Sequence, residues 1–176
     1  MREIKVRGKR LDNNEWVYGV PIKNSFGKAH LICIATIDQL GYPMERLHEF
    51  CFEVDHHTVG QYIGRKNEGD EDVFEFDVAS VILQDHVFGF YRETEYIGIV
   101  KYDETECVYC LDLIKPPSSG GEQIPREIDG IPVFTEDDYE TNRFYFSENI
   151  IQEDIHILGN IYDNPELLGG RNHETD

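Results

Sequence analysis

Asp55-His56-His57-Thr58 is the tightest grouping of side chains in this chain that could do chemistry. An aspartate beside a histidine can orient an imidazole, and two histidines can hold a borderline divalent cation. On an extended chain, however, adjacent side chains point to opposite faces, which would separate His56 from His57. The preferred reading is a polar turn ahead of a strand that starts at Val59. Cys107-Val108-Tyr109-Cys110 has the spacing of a zinc half-site or a redox pair. It opens a run, residues 107–114, that reads as a strand, where positions three apart face opposite ways. No second such pair exists, and the adjacent histidines lie far off in sequence. Cys107 and Cys110 are therefore expected to be buried apolar thiols. A cytoplasmic setting argues against disulfides among these two, Cys33 and Cys51.

Other candidates are weaker. Gly60-Gln61-Tyr62-Ile63-Gly64 suggests a phosphate-cradling loop, but it lacks the lysine and the following helix that such loops need. Its glycines are expected to permit strand bends. Asp70-Glu71-Asp72 and Glu136-Asp137-Asp138 follow no calcium-loop spacing and read as solvated turns. Asn160 is expected to pin a turn, Tyr162 to lie at the surface, and His156 to lie on the wet face of the last strand. Trp16 reads as a core or rim aromatic. No catalytic, metal or cofactor-binding residue is assigned, and no cofactor is expected.

Composition bounds the function classes. The chain has 176 residues and a net charge of −19. Residues 1–58 balance eight basic against eight acidic residues, so the excess lies wholly in residues 59–176. Such a charge opposes non-specific binding to phosphate and keeps a protein soluble. The first ten residues run the other way, with Arg2, Lys5, Arg7, Lys9 and Arg10 against Glu3. This basic edge could dock on something acidic, in the same chain or a neighbouring subunit. No apolar run approaches the roughly 20 residues of a membrane span, and the start lacks the apolar core of a signal peptide. A cytoplasmic protein is expected.

The elements that must position these residues read as mainly β. Ten Tyr and ten Phe, with many short Val/Ile-rich runs, favour strands. Ile4, Val6 and Gly8 share one face of an amphipathic first strand, and residues 16–21 return as its hairpin partner. Strands follow at residues 30–36 and 50–54, with a short helical turn at 44–47 between them. Residues 59–63, a charged turn and residues 73–83 read as the first hairpin of a small barrel. In the second of these strands Phe74, Phe76 and Val78 face inward, and Glu75, Asp77 and Ala79 face water. Gly89 marks a bend or bulge. Residues 96–102 and 107–114 form another hairpin. Residues 115–130 are rich in Pro, Gly and Ser and read as a mobile loop, and residues 131–142 read as a short strand and an acidic turn; together, at about 115–142, they form a loop-rich insertion. Strands at 144–147 and 153–162 close the domain. Asn164 then suits a helix cap and Pro165 the first helical position. One β-rich domain, residues 1–170, is expected, with a frayed tail at 171–176.

Three stretches carry a resemblance. Met1-Arg2-Glu3-Ile4-Lys5-Val6-Arg7, Thr58-Val59-Gly60-Gln61-Tyr62-Ile63-Gly64 and Ile157-Leu158-Gly159-Asn160-Ile161-Tyr162-Asp163-Asn164-Pro165-Glu166-Leu167-Leu168 are similar, in this order, to motifs of the YopX family. Its members are phage and prophage proteins, mostly from Gram-positive bacteria. The turn after the middle motif departs from the family's usual Lys-Asp-Lys-Asn-Gly. The resemblance implies an SH3-like β-barrel, here with extra strands and short helical turns, and a phage accessory role. It implies no activity and no catalytic residues. The expectation is a non-enzymatic binding or assembly module, with a homo-oligomer and an unknown protein partner. The alternatives are an acidic DNA mimic that occupies a host nucleic-acid-binding protein, and a direct nucleic-acid binder that uses the basic first strand. An enzyme with acidic residues at a metal ranks last.

Overall fold

The computed structural model describes residues 4–23, 29–34, 48–87, 89–121, 127–128, 131–132, 142–146, 150–151 and 154–169. The expected helical turn at 44–47, Glu136-Asp137-Asp138 and the tail at 171–176 lie outside them. The chain is mainly β; among its described residues helix is limited to short 3-10 turns, and these residues divide into two compact units. Residues 4–65 and 72–75 form the first unit; residues 66–71 and 76–169 form the second. Among the described residues no helix is long and apolar enough to cross a membrane.

The first unit is one antiparallel sheet. Its strands are β1 (Val6–Lys9), β2 (Trp16–Lys23), β3 (Ala29–Cys33), β4 (Cys51–Glu53), β5 (Gly60–Lys66) and β6 (Asp72–Phe74), in the order β4-β3-β2-β1-β5-β6. Val6 and Gly8 share a buried face as expected, but Ile4 precedes the strand and is exposed, and the alternate residues Arg7 and Lys9 are buried too. Val6 packs with Val17, Ile32 and Val54, and Phe52 and Val59 close over them. Gly8 lies in the same layer, where a Cβ would come within 3.1 Å of Ile32 and 3.3 Å of Val54. The sheet does not close into the expected barrel, because its order leaves β4 and β6 as ends. One bridge nevertheless ties the β4 end back to β1: Arg10 pairs with Val54, and the Asp55 N–H donates to the Lys9 carbonyl at 2.8 Å.

The basic first strand is not an edge. It pairs with β2 on one side and β5 on the other. Arg7 and Lys9 are only 7% and 9% exposed. The Arg7 guanidinium lies 4.8 Å from the Trp16 ring and 5.1 Å from the Phe74 ring, and it donates to the Glu75 carbonyl at 3.2 Å. The Lys9 ammonium lies 5.4 Å from Trp16. Cations over ring faces are held by the ring quadrupole, each contact giving about 0.5–2 kcal/mol when desolvated. Their aliphatic stems meanwhile cover apolar surface.

The second unit is built on β7 (Asp77–Val87), β8 (Phe90–Asp103), β9 (Val108–Leu113) and β10 (Ser118–Gly121). A two-stranded ribbon follows, β11 (Glu127–Ile128) with β12 (Ile131–Pro132), then β13 (Arg143–Tyr145) and β14 (Ile155–Asn160). The main order is β13-β9-β8-β7-β14, with β10 also on β8, and it too is open. The long β7–β8 hairpin runs from Val78 opposite Ile99 to Val87 opposite Phe90, and Gly89 sits at its tip with φ 89°. Residues 108–113 return along β8 as the sequence suggests, but Cys107 belongs to the turn, with φ 55°. A core of Val78, Ile99, Ile161 and Leu168 gathers Phe76, Tyr162 and Leu167. Pro165–Leu168 forms a 3-10 turn. Asn164 does not cap it through its side chain; its Oδ1 accepts instead from the Asn160 N–H at 3.3 Å.

The strand expected over residues 73–83 is two strands. Phe74 ends β6, Phe76 has φ 69°, and β7 begins at Asp77. That left-handed residue breaks the alternation and carries the chain from the first unit into the second. The expected wet face of this stretch is also buried: Asp77 is 2% and Ala79 0% exposed. Of the expected insertion, residues 118–121 are a strand on β8; residues 122–126, 129–130 and 133–141 lie outside the described residues.

Candidate functional site

The Asp55-His56-His57 turn depends on three local features. His56–Thr58 is a 3-10 turn, and Asp55 is its N-cap, accepting the His57 N–H at 3.0 Å. Buried Thr58 locks the turn to β1. Its hydroxyl donates to the Asp55 carbonyl at 2.7 Å and accepts the Lys9 N–H at 2.8 Å. The expected polar turn is present, and because the chain is curled there rather than extended, the two imidazoles do not point apart. Their rings lie 3.8 Å apart at 42°. His56 Nδ1 is 3.9 Å from Asp55 Oδ1. One ligand atom from each of Asp55, His56 and His57 falls within 4.8 Å of the others.

Two imidazoles and a carboxylate are the donor set of borderline divalent cations such as Zn²⁺. Asp55 and His56 are half-buried and His57 is exposed, so a cation could reach the turn from solvent. Three ligands would leave further coordination positions to water. The signal that could have found this turn is the pairing of a capping aspartate with a β-branched hydroxyl residue three positions on.

The basic strand offers no free row of charges to phosphate. Lys5 pairs with Asp72, Arg10 forks onto Asp12, and Arg7 and Lys9 lie under rings. On β2, Tyr18, Val20 and Ile22 share a face and are exposed at 46%, 50% and 40%.

The remaining candidates are separated. Cys107 is exposed and Cys110 buried, and burial pushes the Cys110 thiol up. Gly64 has φ 85°, the bend expected of it, while Gly60 pairs with Arg7 in the ladder. Asp70 pairs with Lys66. His156 meets Glu68 at 2.9 Å. Asn160 Oδ1 accepts the N–H groups of Tyr162 and Asp163, so it pins the turn there.

Two groupings were not visible in the sequence. Cys33 lies directly opposite Cys51 across β3 and β4. Asp103, its side chain 3% exposed, accepts from the Tyr145 hydroxyl at 2.9 Å, the Thr105 N–H at 3.0 Å and Arg143. The Tyr145 hydroxyl first, then the backbone N–H groups and Arg143, hold the Asp103 carboxyl below its ordinary range.

A family model described as "YopX protein" matches residues 5–169, which span both units. No curated protein matches the chain.

Proposed function

We propose, on the premise that the chain belongs to the YopX family, that it is a non-enzymatic phage or prophage accessory protein of the bacterial cytoplasm that assembles with copies of itself. The observation that carries this is the outer face of β2. Tyr18, Val20 and Ile22 alternate like core residues yet face solvent, and a stripe of this kind marks an interaction surface. Their unit suits self-association electrostatically, since residues 1–65 and 72–75 carry nine basic and ten acidic residues. The Arg10–Val54 bridge supports the finer reading of this unit as an SH3-like small barrel.

Size-exclusion chromatography with light scattering tests the assembly. A dimer or larger species is expected, strengthened by salt that screens the net charge of −19. Val20→Asp should shift it to monomer. A strict monomer at high concentration and high salt overturns the assembly.

A second reading, the acidic DNA mimic, is favoured by the concentration of charge in the other unit. Residues 66–71 and 76–172 carry seven basic and 23 acidic residues. A pull-down from host lysate that recovers no basic nucleic-acid-binding protein would sink it. Direct nucleic-acid binding is disfavoured by the internal engagement of Lys5, Arg7, Lys9 and Arg10, and no retardation is expected in a low-salt mobility shift.

A further inference from the structure

The register of β3 on β4 places Cys33 opposite Cys51. The next pair along, Ile34 and Phe50, is hydrogen-bonded, with the Ile34 N–H donating to the Phe50 carbonyl at 3.0 Å. Antiparallel ladders alternate, so Cys33 and Cys51 occupy a non-hydrogen-bonded position, where Cα atoms stand about 4.5 Å apart. Disulfides span Cα separations of roughly 4.4–6.8 Å. The two strands therefore already hold the backbone spacing that a bridge needs, at its short end. The thiols are also in contact: burial first, then the hydrogen bond with Cys33, pushes the Cys51 thiol up. Cys33 is buried and Cys51 half-buried, on the end strand of its sheet.

We propose that Cys33 and Cys51 are an oxidative modification site that forms a reversible cross-strand disulfide by exchange with a low-molecular-weight disulfide. Cys51, the reachable sulfur, loses its proton to solvent and attacks one sulfur of RS–SR. The S–S bond of the reagent breaks, RS⁻ leaves and takes a proton, and Cys51 is left as a mixed disulfide. The Cys33 thiolate then attacks the Cys51 sulfur and expels the second thiol. The protein dithiol loses two hydrogens, and RS–SR is reduced to two RSH. A thiol held above its usual range is a thiolate only in small part at neutral pH, so exchange accelerates with rising pH. The bridge would sit at the sheet end with the Cys51 sulfur open to solvent thiols, and accessible disulfides are the labile ones, which makes the modification reversible. It also fastens the three-residue end strand β4 to the sheet and closes the loop between the two cysteines in the unfolded chain.

The test uses the full chain, glutathione disulfide as the reagent, alkylation and peptide mass mapping. The expected product is a single covalent chain lighter by two hydrogens, with one linked peptide pair that contains Cys33 and Cys51. Cys107 and Cys110 should remain open to alkylation after denaturation, and dithiothreitol should reverse the change. Thermal unfolding of the oxidised form should rise by roughly 5–10 °C. Cys33→Ser should stop at a glutathione adduct on Cys51, and a Cys107→Ser, Cys110→Ser double variant should form the link as the parent does. Three outcomes would overturn the proposal: a parent chain that keeps the adduct on Cys51 without linking, a link through Cys107 or Cys110, or a link between two chains. Because the parent itself is scored, failure of a cysteine variant to fold does not remove the test.

Discussion

The two units solve the same problem, polar groups inside a sheet protein, with opposite chemistry. The first packs Arg7 and Lys9 under Trp16 and Phe74 in a sheet of short strands. The second, on strands of 11 and 14 residues, embeds Asp103 among donors and forks Arg92 onto Asp85. The attraction between a cation and a ring face does not titrate, whereas a carboxylate held by donors loses its charge in acid. The first unit should therefore be sensitive to loss of an aromatic ring and less sensitive than the second to acid. The second should show the reverse.

Loss of Phe74 is the most severe test. The ring is 2% exposed and touches Lys5, Arg7, Tyr18 and Tyr62. Phe74→Ala is expected to cost about 3–5 kcal/mol, the usual range for a buried ring, and to leave two cations without their cover. Trp16 is the chain's single tryptophan and lies in the first unit, so its fluorescence reports that unit alone. In urea the tryptophan transition should move to lower concentration while far-ultraviolet circular dichroism keeps a later component from the second unit. If the two signals still coincide, the units unfold as one and the comparison loses its thermodynamic content.

Acid provides the complementary perturbation. Asp103 has a folded pKa below its unfolded value of about 3.9, so its contribution is fully present above that value and is lost as pH falls through the folded pKa. Wild type should lose second-unit dichroism below about pH 4 before tryptophan fluorescence changes. Asp103→Asn keeps an acceptor for the Tyr145 hydroxyl but gives up the charge beside Arg143. It should be less stable at neutral pH and show a shallower acid limb. Protonation also relieves the self-repulsion of this acidic unit, which works in the opposite sense. The decisive quantity is therefore the difference between variant and wild type at one ionic strength. Identical acid limbs would mean that Asp103 does not set the acid response.

What the sequence made legible follows from locality. The shared β1 face of Val6 and Gly8, the β8–β9 return and the Asn160 turn are each decided by residues within a few positions, and each is found. The Cys33–Cys51 pairing was not, because a register across so long a connection depends on tertiary packing and not on local pattern. The burial of Arg7 and Lys9 was missed because hydropathy assigns charges to water, and only the facing rings reverse that. The break at Phe76 was missed because an aromatic residue at positive φ is disfavoured locally and must be imposed by what surrounds it. At the histidine pair the turn itself is legible, but not that it brings the two rings together. Asp55 caps and Thr58 locks, and together they turn an extended dipeptide into a 3-10 turn.

That turn gives the smallest expected effect and the finest distinction between the units. The second unit holds most of the negative charge, yet charge alone attracts a loose cation atmosphere and fixes no ion. Binding at a defined position needs converging ligands, and among the described residues Asp55, His56 and His57 are the group that converges. Zn²⁺ should therefore stabilise the first unit, read by Trp16, by about 0.5–1.5 kcal/mol at a few-fold to tenfold excess over its dissociation constant. The gain is modest because Asp55 must serve the cation while it caps the turn. Mg²⁺, which prefers oxygen ligands and keeps its waters, should give no such shift. His57→Ala removes an exposed ring, so it should leave the fold intact and abolish the Zn²⁺ response. A response that survives His57→Ala would belong to Cys33 and Cys51 or to another donor set. A response shared equally by Mg²⁺ would reduce the first unit's cation chemistry to the diffuse kind found in the second.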